Sequence, residues 1–313
     1  MKILGIGNAI VDVICKVDDD FISKNGLTKS TMKLIFDESE FQNLLKNLKI
    51  EKTVSGGSVA NSIVGLSQLG NEVGFIGKVS DDKLGEKYEE GLKQENVKYF
   101  YDKKKEALPT GTCLILVTPD SERTMCTFLG TAGKINDNDV SSEIVKKSDI
   151  TFLEGYLWDL DDAQVAIKHA TDYAKSSGNL VAFSVSDVFC IERFRDSFRS
   201  MIDSNVDIVF ANKEEIKSLY ENDNIDEITK ILSQQERIYA ITMGEEGALI
   251  IKGNETYKIE AQKIENLVDT TGAGDLFAAG FLHGHVNNMS LKECLDKGTE
   301  MSSKVIQQIG ARL

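Results

Sequence analysis

The chain has few prolines, no paired cysteine motif and no long apolar run. Its 313 residues include only two prolines, and no stretch rich in glycine, serine or proline divides them. No apolar run approaches the roughly 20 residues of a membrane span. The first residues lack the basic start, long apolar stretch and cleavage site of a signal peptide. We therefore expect one domain over residues 1–313 and no membrane partner.

Cysteine usage and charge narrow the class of protein further. The five cysteines lie far apart, with no CxxC and no short cysteine–histidine spacing, which is typical of reduced thiols and predicts a cytoplasmic location. Lysine and arginine total 36 against 50 aspartates and glutamates, a net charge of −14. Binding to nucleic acid needs clustered basic residues, so we expect no nucleic-acid partner. The composition is compatible with a monomer or a homodimer.

Short apolar runs alternate with longer segments of helical periodicity. Runs such as 150–153 and 208–211 consist of apolar or β-branched residues throughout, as in strands covered on both faces. Residues 58–69 have helical spacing, and a glycine follows them where a helix ends. The alternation predicts an α/β fold with a largely parallel central sheet. Segments at about 10–40 and 98–130 read as strand–turn–strand without a helix, and predict a small β-sheet lid.

The densest motif is Asp-Thr-Thr-Gly-Ala-Gly-Asp at residues 269–275, which leads into an apolar, helix-like run. The free N–H groups of a first helical turn, here Gly272, Ala273 and Gly274, can bind phosphate or a transferring phosphoryl group. Asp275 would be kept ionised by the helix dipole and could take the proton of an attacking hydroxyl. The alternative is close helix packing, with Asp275 as a plain N-terminal helix acid.

A second glycine cluster and an isolated aspartate suggest where a substrate binds. In Ser-Gly-Gly-Ser-Val-Ala-Asn at 55–61, Gly56 and Gly57 allow close approach to the backbone, and Asn61 offers a donor and an acceptor. A simple strand-to-helix turn is the alternative. Asp12 interrupts an apolar stretch and could accept from two adjacent sugar hydroxyls, or could be a capping residue. Neither GxGxxG nor GxxxxGK[ST] is present, which disfavours dehydrogenases and P-loop enzymes.

Two further segments suggest a nucleotide side. Asn212 and Glu215 follow an apolar run and are three residues apart, so they share a helix face and could hold a hydrated Mg²⁺ near phosphates. A helix cap is equally compatible with that pair. Thr242, Gly244 and Gly247 belong to a glycine turn that, by itself, predicts only a hairpin.

Together these motifs resemble the PfkB/ribokinase family of carbohydrate and nucleoside kinases, nearly end to end. The resemblance implies a ribokinase-like three-layer sandwich with a small lid, ATP as donor and Mg²⁺ as cofactor. It implies Asp275 as the base beside an anion hole, with a monovalent cation such as K⁺ near Asp269 and Thr271. Substrate hydroxyls would be held by Asp12, Gly57 and Asn61, and the nucleotide by the segments at 212–215 and 242–248.

Within the family, the chain most resembles adenosine kinases. Residues 183–189 resemble a segment that lies near the nucleoside, which assigns Phe189 to the substrate site. Residues 123–130 resemble the lid segment, with Phe128 as the candidate for stacking on the base. Phe183 and Thr271 depart from the adenosine kinase pattern, in which asparagine is common at both places. Phosphorylation of the adenosine 5′-hydroxyl is therefore expected, with a ribose or fructose kinase and a non-catalytic binding protein as alternatives.

Overall fold

A sheet of nine strands forms the centre of the protein. The structure is a computed structural model that describes residues 1–46, 48–120 and 122–313. The strands of this sheet are β1 Ile3–Ile6, β5 Val73–Ile76, β6 Lys98–Tyr99, β9 Ile150–Glu154, β10 Leu180–Ser184, β11 Ile208–Asn212, β12 Ile238–Thr242, β13 Ala248–Lys252 and β14 Glu255–Ile259. Their order is β14-β13-β12-β11-β10-β9-β1-β5-β6.

The central sheet is parallel from β12 through to β6. Only β13 and β14, at one edge, pair antiparallel. Every residue of β1, β5 and β9 is buried, because helices cover both faces of the sheet. The predicted α/β class and the largely parallel sheet are confirmed.

Helices form an outer layer on each face of the sheet. They are α1 Asp19–Lys24, α2 Glu38–Lys46, α3 Ser58–Gln68, α4 Lys83–Gln94, α5 Ser142–Lys146, α6 Asp161–Ser176, α7 Val188–Asn205, α8 Lys213–Tyr220, α9 Ile225–Leu232, α10 Ala273–Val286 and α11 Leu291–Val305. One core cluster joins α3, α10 and α11 to the sheet. Another joins the helices α6, α7, α8 and α9 to it. The predicted three-layer sandwich is therefore present. None of the described helices is long and apolar enough to cross a membrane.

A second, smaller sheet stands beside the carboxyl ends of the parallel strands. Its strands are β2 Ile10–Lys16, β3 Met32–Leu34, β4 Ile50–Gly56, β7 Gly111–Val117 and β8 Arg123–Phe128, in the order β3-β8-β7-β2-β4. The two predicted strand–turn–strand segments supply four of these strands. The chain passes from β1 directly into β2, so the cleft between the sheets begins where β1 ends.

The sequence prediction of the second sheet was incomplete in two respects. The strand β4 was not predicted, because its first three residues are exposed and two of them, Glu51 and Lys52, are charged, as is common at a sheet edge. The segment 10–40 was predicted without a helix, yet it contains α1. Asp18 caps this helix by accepting a hydrogen bond from the N–H of Phe21 at 2.8 Å, and Ile22 buries its apolar face.

Candidate active site

One cavity lies between the carboxyl ends of the parallel strands and the inner face of the second sheet. Its volume is about 580 Å³. The ends of β9 to β12 and the start of α10 form one wall. Ligands of open α/β sheets bind at this edge, because the loops there converge around a shared crevice. Apolar side chains of the second sheet form the opposite wall: Ile10, Met32, Leu34, Ile115 and Met125.

Asp275 lies on the first turn of α10 and lines this cavity. Its Oδ1 accepts a hydrogen bond from Ser58 Oγ at 2.6 Å, and its Oδ2 accepts one from Asn61 Nδ2 at 3.0 Å. Burial raises the pKa of Asp275 to about 6, although these two donors and Arg312 oppose the rise. The sequence predicted a low pKa from the helix dipole. The loss of hydration outweighs that dipole, and the carboxylate is still mostly ionised at pH 7.

The glycines before Asp275 shape the start of α10. Gly272 caps the helix in a left-handed conformation with φ of 79°, and Gly274 has open space around its Cα. The N–H of Ala273 donates to the carbonyl of Thr270 at 3.2 Å. In the described part of the chain, the N–H groups of Gly272 and Gly274 have no protein acceptor. These two groups, together with the N–H of Asp275, which also has no acceptor among the described residues, are therefore available to an anion.

Asp12 lies in the same cavity, on β2, and is half-buried. Burial raises its pKa to about 7, and the neighbouring Asp275 adds to the rise, while Arg312 and Arg123 lower it. Gly56 on β4 is the residue beside it, and a Cβ at Gly56 would collide with the Asp12 carboxylate. Gly56 thus serves the site by making room for Asp12 and is not itself part of the lining.

Gly57 and Asn61 stand at the start of α3 and line the same cavity. Gly57 has φ of 101°, and a Cβ there would collide with the carbonyl oxygen of Asn8. Asn61 is buried, and while its Nδ2 donates to Asp275 its Oδ1 accepts from Arg312 Nε at 3.0 Å. The structure therefore brings together four of the predicted residues, namely Asp12, Gly57, Asn61 and Asp275.

Three of the residues predicted for the nucleotide also line the cavity, namely Asn212, Glu215 and Thr242. Asn212 caps α8, and its N–H and Nδ2 donate to the two oxygens of Glu215 at 2.7 and 2.6 Å. Burial raises the pKa of Glu215 to about 7. Gly244 and Gly247 lie in the β12–β13 turn, outside the lining of this cavity as the described residues define it.

The two phenylalanines assigned to the substrate separate in the structure. Phe189, on the first turn of α7, lines the cavity with nearly half of its surface exposed, and the Arg193 guanidinium stacks on its ring at 4.0 Å. Phe128 is buried and stacks on Phe41 at 5.3 Å between ring centres, in the core behind the second sheet. The structure therefore places Phe128 outside the lining of this cavity.

Asp269 does not fit the cation site that the resemblance implied. Its Oδ1 accepts from the Thr271 N–H and hydroxyl at 3.1 and 2.7 Å, and its Oδ2 accepts from the Gly310 N–H at 2.7 Å. The Arg123 guanidinium lies 2.6 Å from the same Oδ2. The carboxylate is thus already neutralised by a protein cation. Within the described residues, no group of three or more histidine, cysteine, aspartate or glutamate side chains could hold a metal ion.

Sequence reasoning missed one buried acid and two arginines. Glu154, at the end of β9, is only 1% exposed, and its oxygens accept from the N–H groups of Asn8 and Val59 at 2.9 and 2.8 Å. Burial raises its pKa to about 7. An acid at the end of an apolar strand was the available signal for Glu154. Arg123 opens the segment 123–130 that resembles the lid, but that resemblance did not assign it to the site. Arg312 was not assigned either, because the partners of the two arginines, Asp269 and Asn61, are far away in sequence.

Comparisons with known proteins agree with this geometry. The family model for pfkB family carbohydrate kinases matches residues 20–313. The adenosine kinase from Sinorhizobium meliloti superposes with a TM-score of 0.91 at 39% identity, covering 100% of this chain and 95% of that chain. A probable sugar kinase from Rhizobium etli gives 0.91 and 39%, covering 99% and 94%. Adenosine kinase 2 of Arabidopsis thaliana is 26% identical, over 98% of this chain and 94% of its own.

Proposed function

The chain belongs to the pfkB family of carbohydrate kinases, and we propose that it transfers the γ-phosphoryl group of ATP to the 5′-hydroxyl of adenosine. One observation carries the proposal: a single cavity contains a base, Asp275, a second acid suited to sugar hydroxyls, Asp12, and an apolar wall beyond them. A nucleoside needs all three, because its base requires apolar surface that a free sugar does not. The similarity to the Sinorhizobium meliloti adenosine kinase supports the same acceptor.

In the proposed reaction the acceptor 5′-oxygen attacks the γ-phosphorus of ATP while its proton passes to Asp275. The bond from the γ-phosphorus to the bridging oxygen breaks, and ADP leaves. With a pKa of about 6, Asp275 is ionised at neutral pH and still basic enough to accept the proton. Ser58 and Asn61 fix the orientation of its carboxylate. The free N–H groups of Gly272 and Gly274 stabilise the charge on the transferring group.

We propose that the ribose lies against Asp12, Gly57 and Asn61, and that the base lies between Phe189 and the apolar side chains of the second sheet. The raised pKa of Asp12 supports this role. Two hydroxyl donors would replace the hydration that the carboxylate loses in the cavity, and would favour its ionised form. We also propose that the second sheet acts as a lid, which would exclude water from the phosphoryl group.

Asn212 and Glu215 are proposed to hold a hydrated Mg²⁺ that accompanies ATP. Each Glu215 oxygen accepts one hydrogen bond from Asn212 in the described structure and keeps a lone pair for a metal-bound water. When bound, Mg²⁺ neutralises part of the phosphate charge. Thr242, at the end of the neighbouring strand, is assigned to the nucleotide on the same grounds, and Gly244 and Gly247 to the turn that shapes this side. A monovalent cation at Asp269 is left out of the proposal.

A free sugar such as ribose or fructose is the alternative acceptor. The Rhizobium etli probable sugar kinase, which is as similar to this chain as the Sinorhizobium meliloti adenosine kinase, favours it. The chemistry at Asp275 would be the same for both acceptors.

The test is an ADP-release assay with Mg²⁺ and ATP that compares adenosine, inosine, ribose and fructose. We expect turnover selective for adenosine, with AMP as the product. The Asp275→Asn variant should lose more than about 10²-fold in kcat, because it removes the base, and should still bind adenosine in calorimetry.

The matched control is Asp296→Asn, the same change at an exposed position of the neighbouring helix α11, which should keep full activity. Turnover of ribose or fructose alone would replace adenosine by a sugar as acceptor. Full activity of the Asp275→Asn variant would refute the proposed mechanism.

A further inference from the structure

The Asp269 carboxylate is enclosed by donors from three parts of the chain. Thr271, in the same loop, donates twice to Oδ1, and the Gly310 N–H donates to Oδ2. Arg123 completes the set with an ion pair to Oδ2 at 2.6 Å. A carboxylate has about four acceptor positions, so these four groups leave no position for a further ligand.

The ion pair of Arg123 and Asp269 is shielded from water. The two side chains are 18% and 7% exposed, respectively. A guanidinium cannot lose its charge in a protein, so Arg123 is a permanent cation at this place. Its field also reaches the acceptor side of the cavity, because Arg123 lowers the pKa of Asp12.

The position of this charge relates it to the phosphoryl site. Asp269 begins the loop that ends in Gly272, and Thr270 and Thr271 of that loop line the cavity. Arg123 is the first residue of β8, in the second sheet. The ion pair therefore joins the two walls of the cavity beside the anion-binding N–H groups.

We propose that Arg123 supplies the positive charge that the family resemblance assigns to a monovalent cation, so that this chain transfers the phosphoryl group without K⁺. A K⁺ ion at Asp269 would have to displace the guanidinium or lie against a like charge. Either arrangement raises the free energy of K⁺ binding, because one carboxylate cannot compensate the charges of two cations. The inference rests on the proposed kinase function.

The first test compares turnover in about 100 mM KCl and in about 100 mM choline chloride, at equal ionic strength. The wild type should show rates within about twofold, because K⁺ finds no site. Arg123→Met should be about tenfold slower or worse in choline, since it removes a charge beside the reacting group. KCl should restore part of that loss, because the substitution uncovers Asp269. Arg123→Lys, which keeps a charge, should stay insensitive to K⁺.

The matched control is Arg195→Met, which removes an arginine paired with Glu221 away from the cavity. It should behave as the wild type in both salts. Activation of the wild type by K⁺ of more than about fivefold would overturn the inference, as would an Arg123→Met variant with full activity in choline.

A second readout does not depend on turnover. The thermal unfolding midpoint of the wild type should be the same in KCl and choline chloride, whereas that of Arg123→Met should be a few degrees higher in KCl, because binding to the folded state stabilises it. If no acceptor is phosphorylated, the proposed function fails while this comparison still decides whether Arg123 occupies the cation position. A K⁺-dependent rise in the wild-type midpoint with none in Arg123→Met would refute the inference.

Discussion

Arg312 controls both the orientation and the ionisation of the candidate base. Its Nε donates to Asn61 Oδ1, which leaves the amide NH₂ of Asn61 to face Asp275. Its charge lowers the pKa of Asp12 and of Asp275. Its Nη2 is buried and has no hydrogen-bond partner among the described residues. Arg312 is therefore a positioning residue, which acts on the reacting atoms through Asn61.

Replacing Arg312 by glutamine should move the pH profile of the reaction. Without the guanidinium the pKa of Asp275 rises above about 6. Because the base must be ionised, the acid limb of kcat/KM should shift to higher pH by about one unit. The measurement is kcat/KM from pH 5 to 9. Arg312→Lys should return the limb towards its wild-type position, and an unshifted limb in Arg312→Gln would contradict this role.

At the scale of single elements, the start of α3 is the critical junction. This helix carries Ser58 and Asn61, the two donors to Asp275. Its first turn follows Gly57, which has a φ of 101° and lies so close to the Asn8 carbonyl that no Cβ fits there. The position of the candidate base Asp275, which lies on α10, therefore depends on Gly57, a glycine at the start of α3.

The substitutions Gly57→Ala and Gly70→Ala compare a glycine that lies against a backbone carbonyl with one that does not. Both glycines have positive φ, but Gly70 has open space around it. Gly70→Ala should lower the free energy of unfolding by about 1 kcal/mol, the usual cost of that conformation for alanine. Gly57→Ala should lower it by at least about 2 kcal/mol more, because the chain at Asn8 must move.

Urea denaturation measures both variants, and the ADP-release assay should show a loss of activity for Gly57→Ala alone. Equal losses of stability would show that the Asn8 carbonyl yields easily, and would refute the argument.

The elements that the sequence predicted best are those with a local pattern. The strand Ile150–Glu154 and the helix Ser58–Gln68 lie within one residue of the predicted bounds, because an apolar run marks the strand and helical spacing followed by a glycine marks the helix. Phe128 shows the limit of this reasoning. Residues alternate across β8, so Met125 and Thr127 face the cavity and Phe128 faces the core. The residue type alone does not show which face of the strand a phenylalanine such as Phe128 occupies.

In the candidate site, too, the residues that the sequence identified are those marked by a local motif. Glycine motifs identified Gly57, Gly272 and Asp275, because each needs an unusual backbone or stands at a helix start. Glu154, Arg123 and Arg312 act through contacts across 95 to 251 sequence positions. No pattern within a single stretch of sequence carries that information.

At the scale of the whole molecule, the cavity contains several carboxyl groups whose pKa values are raised by burial. The pKa values of Asp12, Glu154 and Glu215 rise to about 7, and that of Asp275 to about 6. In the unfolded chain these groups titrate near pH 4. The folded protein therefore binds more protons than the unfolded chain between about pH 4 and 7, so this cavity makes the fold less stable as the pH rises.

The substitution Glu154→Gln should reduce this loss of stability with rising pH, because Glu154 is almost fully buried. From pH 5 to 8 the free energy of unfolding of the wild type should fall more than that of the variant, by on the order of 3 kcal/mol. The measurement is urea denaturation across this pH range. Parallel curves for the two proteins would mean that Glu154 ionises in the folded state as readily as in the unfolded chain.

The position of β1 governs how the protein can fold during its synthesis. This strand pairs with β5 on one side and with β9 on the other. On the ribosome it has no second neighbour until Ile150–Glu154 has emerged, which takes roughly 8 to 30 seconds at about 5–20 residues per second. Throughout that time the nascent chain carries an apolar strand with an open edge, the kind of surface on which chains aggregate. Binding of chaperones to the nascent chain would therefore matter most while the first half of the sequence is being synthesised.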